Sequence, residues 1–161
     1  MFHHLSSPSK FLYEAQRVIV QSGAIILIEP STSVMARIIY PNLFATEDYS
    51  LKFGSQSVLS EEWYSAKPNQ ALSYAAFKLE RDRFANQFSG FGVPKLFHLP
   101  SGIRYLLSGG LNFRPLLGPR TMKLIQSIEK TTIGSAILRQ LSLHWMIVIR
   151  RRANQSMATS K

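Results

Sequence analysis

The feature that most constrains the fold is an amphipathic segment of helix length followed directly by a short, continuous apolar run. Apolar side chains recur at helical spacing after Ser7-Pro8, which predicts a helix over residues 9–20. The breaker Gln21-Ser22-Gly23 follows, and AIILIE at 24–29 then has the composition of a strand buried on both faces of a parallel sheet. A helix that leads into such a strand predicts an α/β layer fold.

The middle of the chain predicts two further helices separated by a long connection. Ser31-Thr32-Ser33 can cap a helix that runs through about Tyr40 and ends at Pro41. Residues 42–68 are polar, dotted with aromatic residues and aperiodic, which is typical of a long functional or mobile connection. Residues 69–89 predict the longest helix of the chain.

The last third predicts two more strands and a frayed end. VPKLFHL at 93–99 and LSLHWMIVIRR at 141–151 have strand composition, with one or two helices between 116 and 141. We therefore expect one domain over residues 1–152, followed by a disordered, basic-ended tail at 153–161.

Composition excludes several classes of protein. The 161 residues, 45% of them hydrophobic, are enough for one domain with a real core. The chain has no cysteine, which excludes disulfides, thiolate metal sites and a cysteine nucleophile and fits a reducing compartment. Neither a secretion signal nor an apolar run of the roughly 20 residues needed to cross a bilayer is evident, so we expect a cytoplasmic protein.

The net charge of +10 belongs to the last part of the chain. Up to Phe91 there are eight basic and eight acidic residues, whereas from Gly92 onward there are eleven basic residues and one acidic residue, Glu129. Such an excess could favour an anionic substrate, peripheral contact with a membrane surface or nucleic acid, or it could be a solvated basic face. Nucleic acid is unlikely as a partner because no nucleic-acid-binding motif accompanies the charge.

Four consecutive stretches near the start carry a family resemblance. FHHL (2–5), EAQRVIV (14–20), QSG (21–23) and AIILIEP (24–30) resemble the end of the fourth strand, the following helix, the turn and the fifth strand of a Rossmann-like S-adenosylmethionine-dependent methyltransferase of the type 11 kind. NQALSYAAF, YLLSGGLNFR and LHWMIVIRR resemble the C-terminal portion of bacterial members of the same superfamily. The resemblance covers nearly all of residues 1–152.

The resemblance implies a partial sheet. If the strand order follows the family, the chain supplies strands four, five, seven and six, with strand seven antiparallel and helices on the flanks. Strand four would then be an exposed edge, and an unpaired edge favours association. We therefore expect a partner chain or a homo-oligomer to cover it.

The resemblance also implies S-adenosylmethionine as cofactor, although the family's glycine-rich cofactor loop and acidic ribose-binding residue would lie before Met1. Gly109-Gly110 lacks the spacing of such a loop. We therefore expect the isolated chain not to bind the cofactor appreciably. In the turn before the fifth strand, Gly23 is the one remaining family glycine, and it can take the positive φ that the C-terminus of a helix often requires.

The site implied by the resemblance begins at the first residues. His3 and His4 are the candidate catalytic residues, as a general base or to orient the acceptor, and Phe2 and His3 are candidates for cofactor contact. The alternative is that residues so near a terminus are disordered or structural. A metal site is not expected, since adjacent residues of a strand point to opposite faces and no third ligand is evident.

Further residues are candidates for binding the methyl acceptor, which we expect to be a small or lipid-like molecule. Glu29 ends the predicted fifth strand, where it could touch the acceptor or cap the next helix. The others come from segments that build the acceptor pocket in the family: Asn69, Gln70, Tyr105, Asn112 and Arg114. Each of these could equally be an ordinary surface residue. His98 and His144 are expected to be core or sheet-face residues.

Two functional hypotheses follow from the sequence. The first is the C-terminal part of a methyltransferase, active when the missing half is supplied by another segment. The second is a truncated, catalytically inactive chain that serves as a binding or regulatory module for an anionic partner. The sequence favours the family over any particular activity.

Overall fold

The fold is α/β and is built on a three-stranded antiparallel sheet. The computed structural model describes residues 1–43, 47–99, 117–131, 136–137 and 139–153. Strands β1 (Ala24–Pro30), β2 (Lys95–His98) and β3 (His144–Arg150) lie in the order β1-β3-β2. In the central β3, Ile147 pairs with Leu27 of β1 and Leu96 of β2, and β3 is antiparallel to both strands. The three predicted strands are confirmed, but the sheet is not parallel.

β1 shows that the sheet has one buried face and one exposed face. Ile25 and Glu29 are buried, whereas the alternating Ile26 and Ile28 are 63% and 61% exposed. β3 shows the same alternation, with Trp145 buried on the inner face. The expectation of burial on both faces was therefore wrong, because the described helices pack against only one face of the sheet.

Helix α1 (Pro8–Val18) confirms the prediction from periodicity. Ser7 is its N-cap residue and Pro8 occupies the first turn, where its missing N–H is harmless. In the turn that follows, Ser22 rather than Gly23 takes a positive φ, of 63°. Gly23 is required for another reason: a Cβ there would lie 2.7 Å from a methyl carbon of Ile19 and 2.8 Å from the Val20 carbonyl oxygen.

Helix α2 (Val34–Leu43) begins where the sequence predicts and ends later. The Ser33 hydroxyl accepts a hydrogen bond from the Ala36 N–H at 3.1 Å, which caps the helix. Pro41 lies inside the last turn, so the predicted end at Pro41 was wrong. The Asn42 side-chain amide donates to the Ile38 carbonyl at 2.6 Å, which satisfies a carbonyl of this last turn.

The helix predicted over residues 69–89 is divided. It consists of α3 (Leu72–Tyr74), a π-helical turn (Ala75–Leu79) and α4 (Arg81–Gln87). Glu80 lies at the junction, where its carboxylate accepts hydrogen bonds from the Ser57 hydroxyl and from the Val58 N–H at 2.8 Å. The connection before this segment is thereby held against it.

The main core lies between the inner sheet face and the helical segments. Phe2, Phe77, Phe84 and Phe88 are fully buried there, beside Trp145 of β3. Burial of each such side chain contributes about 1.5–3 kcal/mol. Val58 and Leu59 of the long connection are also fully buried in this core.

The structure bears on two expectations for the ends of the domain, the fourth strand near residue 2 and the tail after residue 152. Phe2–His4 form a 3₁₀ helix outside the sheet, so the expected fourth strand was wrong at these residues. The predicted tail falls outside the described residues except for Ala153.

Between β2 and β3 lies α5 (Pro119–Glu129). Of the helices that the structure describes, none is long and apolar enough to cross a membrane.

Candidate functional site

Glu29 is the centre of the candidate site. It lies at the carboxyl end of β1 with its side chain fully buried. One carboxylate oxygen accepts the Phe2 N–H at 2.6 Å, and the other accepts the His3 N–H at 3.2 Å and contacts His3 Nδ1 at 2.6 Å. The amino group of Met1 lies 3.2 Å from the first oxygen. The 3₁₀ helix is thus attached to the end of β1.

The protonation state of Glu29 follows from these contacts. Burial by itself raises the pKa of Glu29, but hydrogen bonds from the His3 side chain and the Phe2 N–H hold that pKa below its ordinary value. The charges of His3 and of the amino terminus act in the same direction. Glu29 is therefore a carboxylate at neutral pH, and it orients His3 with Nδ1 as the donor.

His3 and His4 lie side by side and face a second carboxylate. Their ring centroids are 4.3 Å apart, because a 3₁₀ helix does not send consecutive side chains to opposite faces. Nε2 of His3 and Nε2 of His4 each lie 3.8 Å from an oxygen of Glu47. Candidate ligand atoms of the three residues all lie within 4.8 Å of one another. Both grounds for expecting no metal site, strand geometry and the lack of a third ligand, are therefore removed.

Gln70 holds Glu47 in place. Its side-chain amide donates to a Glu47 oxygen at 2.8 Å, and its backbone N–H donates to the Asp48 carbonyl at 2.9 Å. Gln70 is 3% exposed, and its Oε1 atom is buried without a hydrogen-bond partner among the described residues. A buried amide oxygen in this state is uncommon in proteins and marks a place where a ligand or water could bind.

His3, Glu47 and Gln70 border a pocket of ≈ 210 Å³ at the carboxyl end of β1. Its polar lining comes from His3, Glu47, Gln70 and His144, with Tyr40 from α2; the apolar lining consists of Ile28, Pro30 and Leu143. Burial lowers the pKa of His144, so its ring is neutral at pH 7. The Tyr40 hydroxyl lies 3.3 Å from His144 Nε2 and donates to the Leu143 carbonyl at 2.7 Å.

The remaining predicted residues divide into three groups. Asn69 is structural, since its side-chain oxygen accepts the Ala71 N–H at 2.9 Å and its amide donates to the Ser50 carbonyl at 3.0 Å. The Phe2 ring is buried in the core, 4.7 Å from the Phe77 ring, so only its backbone belongs to the site. Three residues lie outside the described part of the chain: Tyr105, Asn112 and Arg114.

Sequence reasoning missed two residues of the site and gave a third, His144, no part in it. Glu47 and Tyr40 received no role, although a carboxylate in an aperiodic connection is a common functional signal. His144, expected in the core or on a sheet face, is half-buried and lines the pocket. His98 lies on β2 with its ring 5.9 Å from that of Trp145 and does not line the pocket.

Comparisons with protein-family models, with curated proteins and with solved structures found no match to this chain.

Proposed function

We propose that this chain is the acceptor-binding, C-terminal part of an S-adenosylmethionine-dependent methyltransferase with a Rossmann-like sheet. The observation that carries the proposal is the strand order β1-β3-β2 with the last strand of the chain, β3, in the middle and antiparallel to its neighbours. This is the relative order that the resemblance implies for the family's strands five, seven and six. β1 and β2 are parallel to one another, and their connection contains helices, as an α/β fold requires.

The position of the pocket supports the proposal. In open α/β sheets, ligands bind outside the carboxyl ends of the strands. The pocket lies at that end of β1, between Glu47, Gln70 and His144. Its mixed lining suits a small acceptor with an apolar body and a polar group. Of the residues expected there, His3 and Gln70 line the pocket, Glu29 holds His3, and His4 lies beside Glu47 at the rim.

The exposed outer face of the sheet supports the proposal that a further polypeptide segment packs against it. Ile26 and Ile28 of β1 and Phe97 of β2 are exposed on the outer face, although strands rich in apolar residues normally have both faces covered. Among the described residues, β1 pairs with β3 alone, so its other edge is open. A segment carrying the cofactor-binding strands, from the same polypeptide or from a partner, would pair with this edge and cover this face.

Methyl transfer itself needs little covalent chemistry from the acceptor side. The methyl group passes in line from the sulfonium to an acceptor atom, so the protein mainly orients the two reactants. An acceptor hydroxyl or acid also needs a group that takes its proton. In the proposed site, Gln70 and His144 orient the acceptor within the pocket, and the Glu47 and histidine cluster at its rim removes the proton.

The test compares the 161-residue chain with the product expressed from native DNA that extends upstream of the Met1 codon. Isothermal titration with S-adenosylmethionine should give no heat of binding for the chain alone and a one-to-one site for the longer product or its co-expressed partner. Gln70→Ala in the longer product should leave cofactor affinity unchanged and abolish methyl transfer to the acceptor. Absence of cofactor binding by every product would overturn the proposal and favour a non-enzymatic binding module.

A further inference from the structure

We propose that His3, His4 and Glu47 bind a divalent transition-metal ion of the zinc class at the rim of the pocket. The three candidate ligand atoms, one from each residue, lie within 4.8 Å of one another. Two imidazole nitrogens and one carboxylate are a ligand set that catalytic zinc sites use, with a further position left for water or substrate. Tetrahedral zinc places its ligand atoms roughly 3.3 Å apart, so closure needs small side-chain movements rather than backbone rearrangement. The inference stands on this local geometry and does not depend on the proposed methyl transfer.

The partner of His3 is the first independent support. Glu29 is ionised and contacts Nδ1 of His3 at 2.6 Å, which leaves Nε2, 3.8 Å from Glu47, as the ring atom that can bind a cation. Histidines that bind metals usually donate their other ring N–H to a carboxylate in this way. The site therefore has both the ligands and the outer carboxylate that orients one of them.

The position of Glu47 is the second support. Each of its two oxygens faces one imidazole: Nε2 of His3 lies 3.8 Å from Oε2, and Nε2 of His4 lies 3.8 Å from Oε1. A single cation between the three side chains can therefore be bound by both rings and the carboxylate together.

The third support is Gln70, which fixes the carboxylate of the site. Its side-chain amide donates to Oε2 of Glu47 at 2.8 Å, and Gln70 is almost fully buried. Carboxylates that bind metals are usually held by a hydrogen-bonded neighbour in this way. Both Glu47 and His3 therefore have an outer partner that sets their orientation.

The experiment uses the purified 161-residue chain, without a histidine tag, stripped with a chelator and titrated with zinc chloride. Isothermal titration and metal analysis of the dialysed protein should give one ion per chain, and titration with cobalt chloride should produce a visible absorption band. His4→Asn and Glu47→Gln should each weaken zinc binding by at least about 100-fold. His4 is half-exposed, so its replacement should leave the circular dichroism spectrum unchanged.

Two matched variants and one modification serve as controls. His98→Asn removes a histidine and Glu61→Gln removes a carboxylate outside the site, and both should bind zinc like the wild-type chain. Acetylation of the amino group tests a different chelate, formed by the Met1 amine and His3, which lie 3.2 Å apart. Binding that survives in Glu47→Gln and is lost on acetylation would overturn the proposal. No zinc binding by the wild-type chain, or equal loss in His98→Asn, would also overturn it.

Discussion

Glu29 is the single residue on which the geometry of the site depends most. It is a buried carboxylate at the end of β1, and its contacts with Phe2 and His3 join two parts of the chain 26 and 27 residues apart. Charged hydrogen bonds of this kind contribute about 1.5–3 kcal/mol each to stability, less the cost of burying the charge. The position of the histidines therefore follows from Glu29 more than from the sequence near them.

Glu29→Gln should lower the free energy of unfolding by about 1–3 kcal/mol. The amide keeps one acceptor but loses the negative charge that His3 Nδ1 and the N–H groups of the 3₁₀ helix contact. Urea denaturation followed by circular dichroism measures the change. Glu14→Gln removes an exposed carboxylate paired with Arg17 on α1 and should leave the free energy of unfolding nearly unchanged. Equal midpoints for both variants and wild type would contradict the role of Glu29.

Tyr49 provides a pH-dependent prediction at the same scale. Burial raises its pKa to about 12, despite the opposing charge of Arg37, and its hydroxyl donates to the Ser31 carbonyl at 3.0 Å. Because the folded state holds the proton more tightly, the stability contribution of Tyr49 is fully present below its ordinary pKa of about 10 and is lost as pH rises through the folded value. An absorbance titration at alkaline pH should show Tyr49 ionising late, and Tyr49→Phe should reduce the absorbance change near pH 12 by the contribution of one tyrosine. An unchanged absorbance change in Tyr49→Phe would contradict the assignment.

At the scale of elements, local patterns predicted the helices and strands that depend on local forces. Periodicity placed α1, the cap at Ser33 placed the start of α2, and apolar composition placed β1 and β3. Elements that depend on distant contacts were missed. Phe2–His4 form a 3₁₀ helix because Glu29, from another segment, accepts two of their N–H groups.

In the candidate site, too, the residue that depends on a distant contact was missed. His3, Glu29 and Gln70 were found from the residues and their resemblance, but Glu47 was not. Glu47 joins the site through the Gln70 amide, which lies 23 residues further along the chain, and nothing in the sequence near Glu47 indicates that contact. The division of the helix predicted over 69–89 was missed for a related reason, since Glu80 bonds to Ser57 and Val58.

Ser33→Ala should lower the free energy of unfolding by about 0.5–2 kcal/mol through loss of the cap of α2. The Ser33 hydroxyl accepts from the Ala36 N–H and donates to the Ser142 carbonyl at 2.5 Å, so the same group joins α2 to the segment before β3. Chemical denaturation gives the difference. Thr32→Ala, one residue earlier, is the matched control and should be nearly neutral. If Thr32→Ala lost more stability than Ser33→Ala, the cap of α2 would not be at Ser33.

At the scale of the whole molecule, the sheet is asymmetric. Its inner face packs on the aromatic core, whereas its outer face exposes Ile26, Ile28 and Phe97 beside the edge of β1 that no described strand pairs with. An apolar face of this kind next to an unpaired edge favours association with another polypeptide. The covering layer proposed above would pair with β1 and remove both features together.

The isolated chain should therefore associate through this face, and Ile26→Lys should reduce that association. The side chain is 63% exposed, so lysine costs little in folding while it places a charge in the centre of the apolar face. Sedimentation velocity over a range of concentrations, together with binding of a hydrophobic dye, measures the effect. Ile25→Lys is the contrast, because Ile25 is buried in the core and a lysine at this position should unfold the chain instead. A monomeric wild-type chain without dye binding would show that the outer face needs no partner, and the layer that we propose would lose its main support.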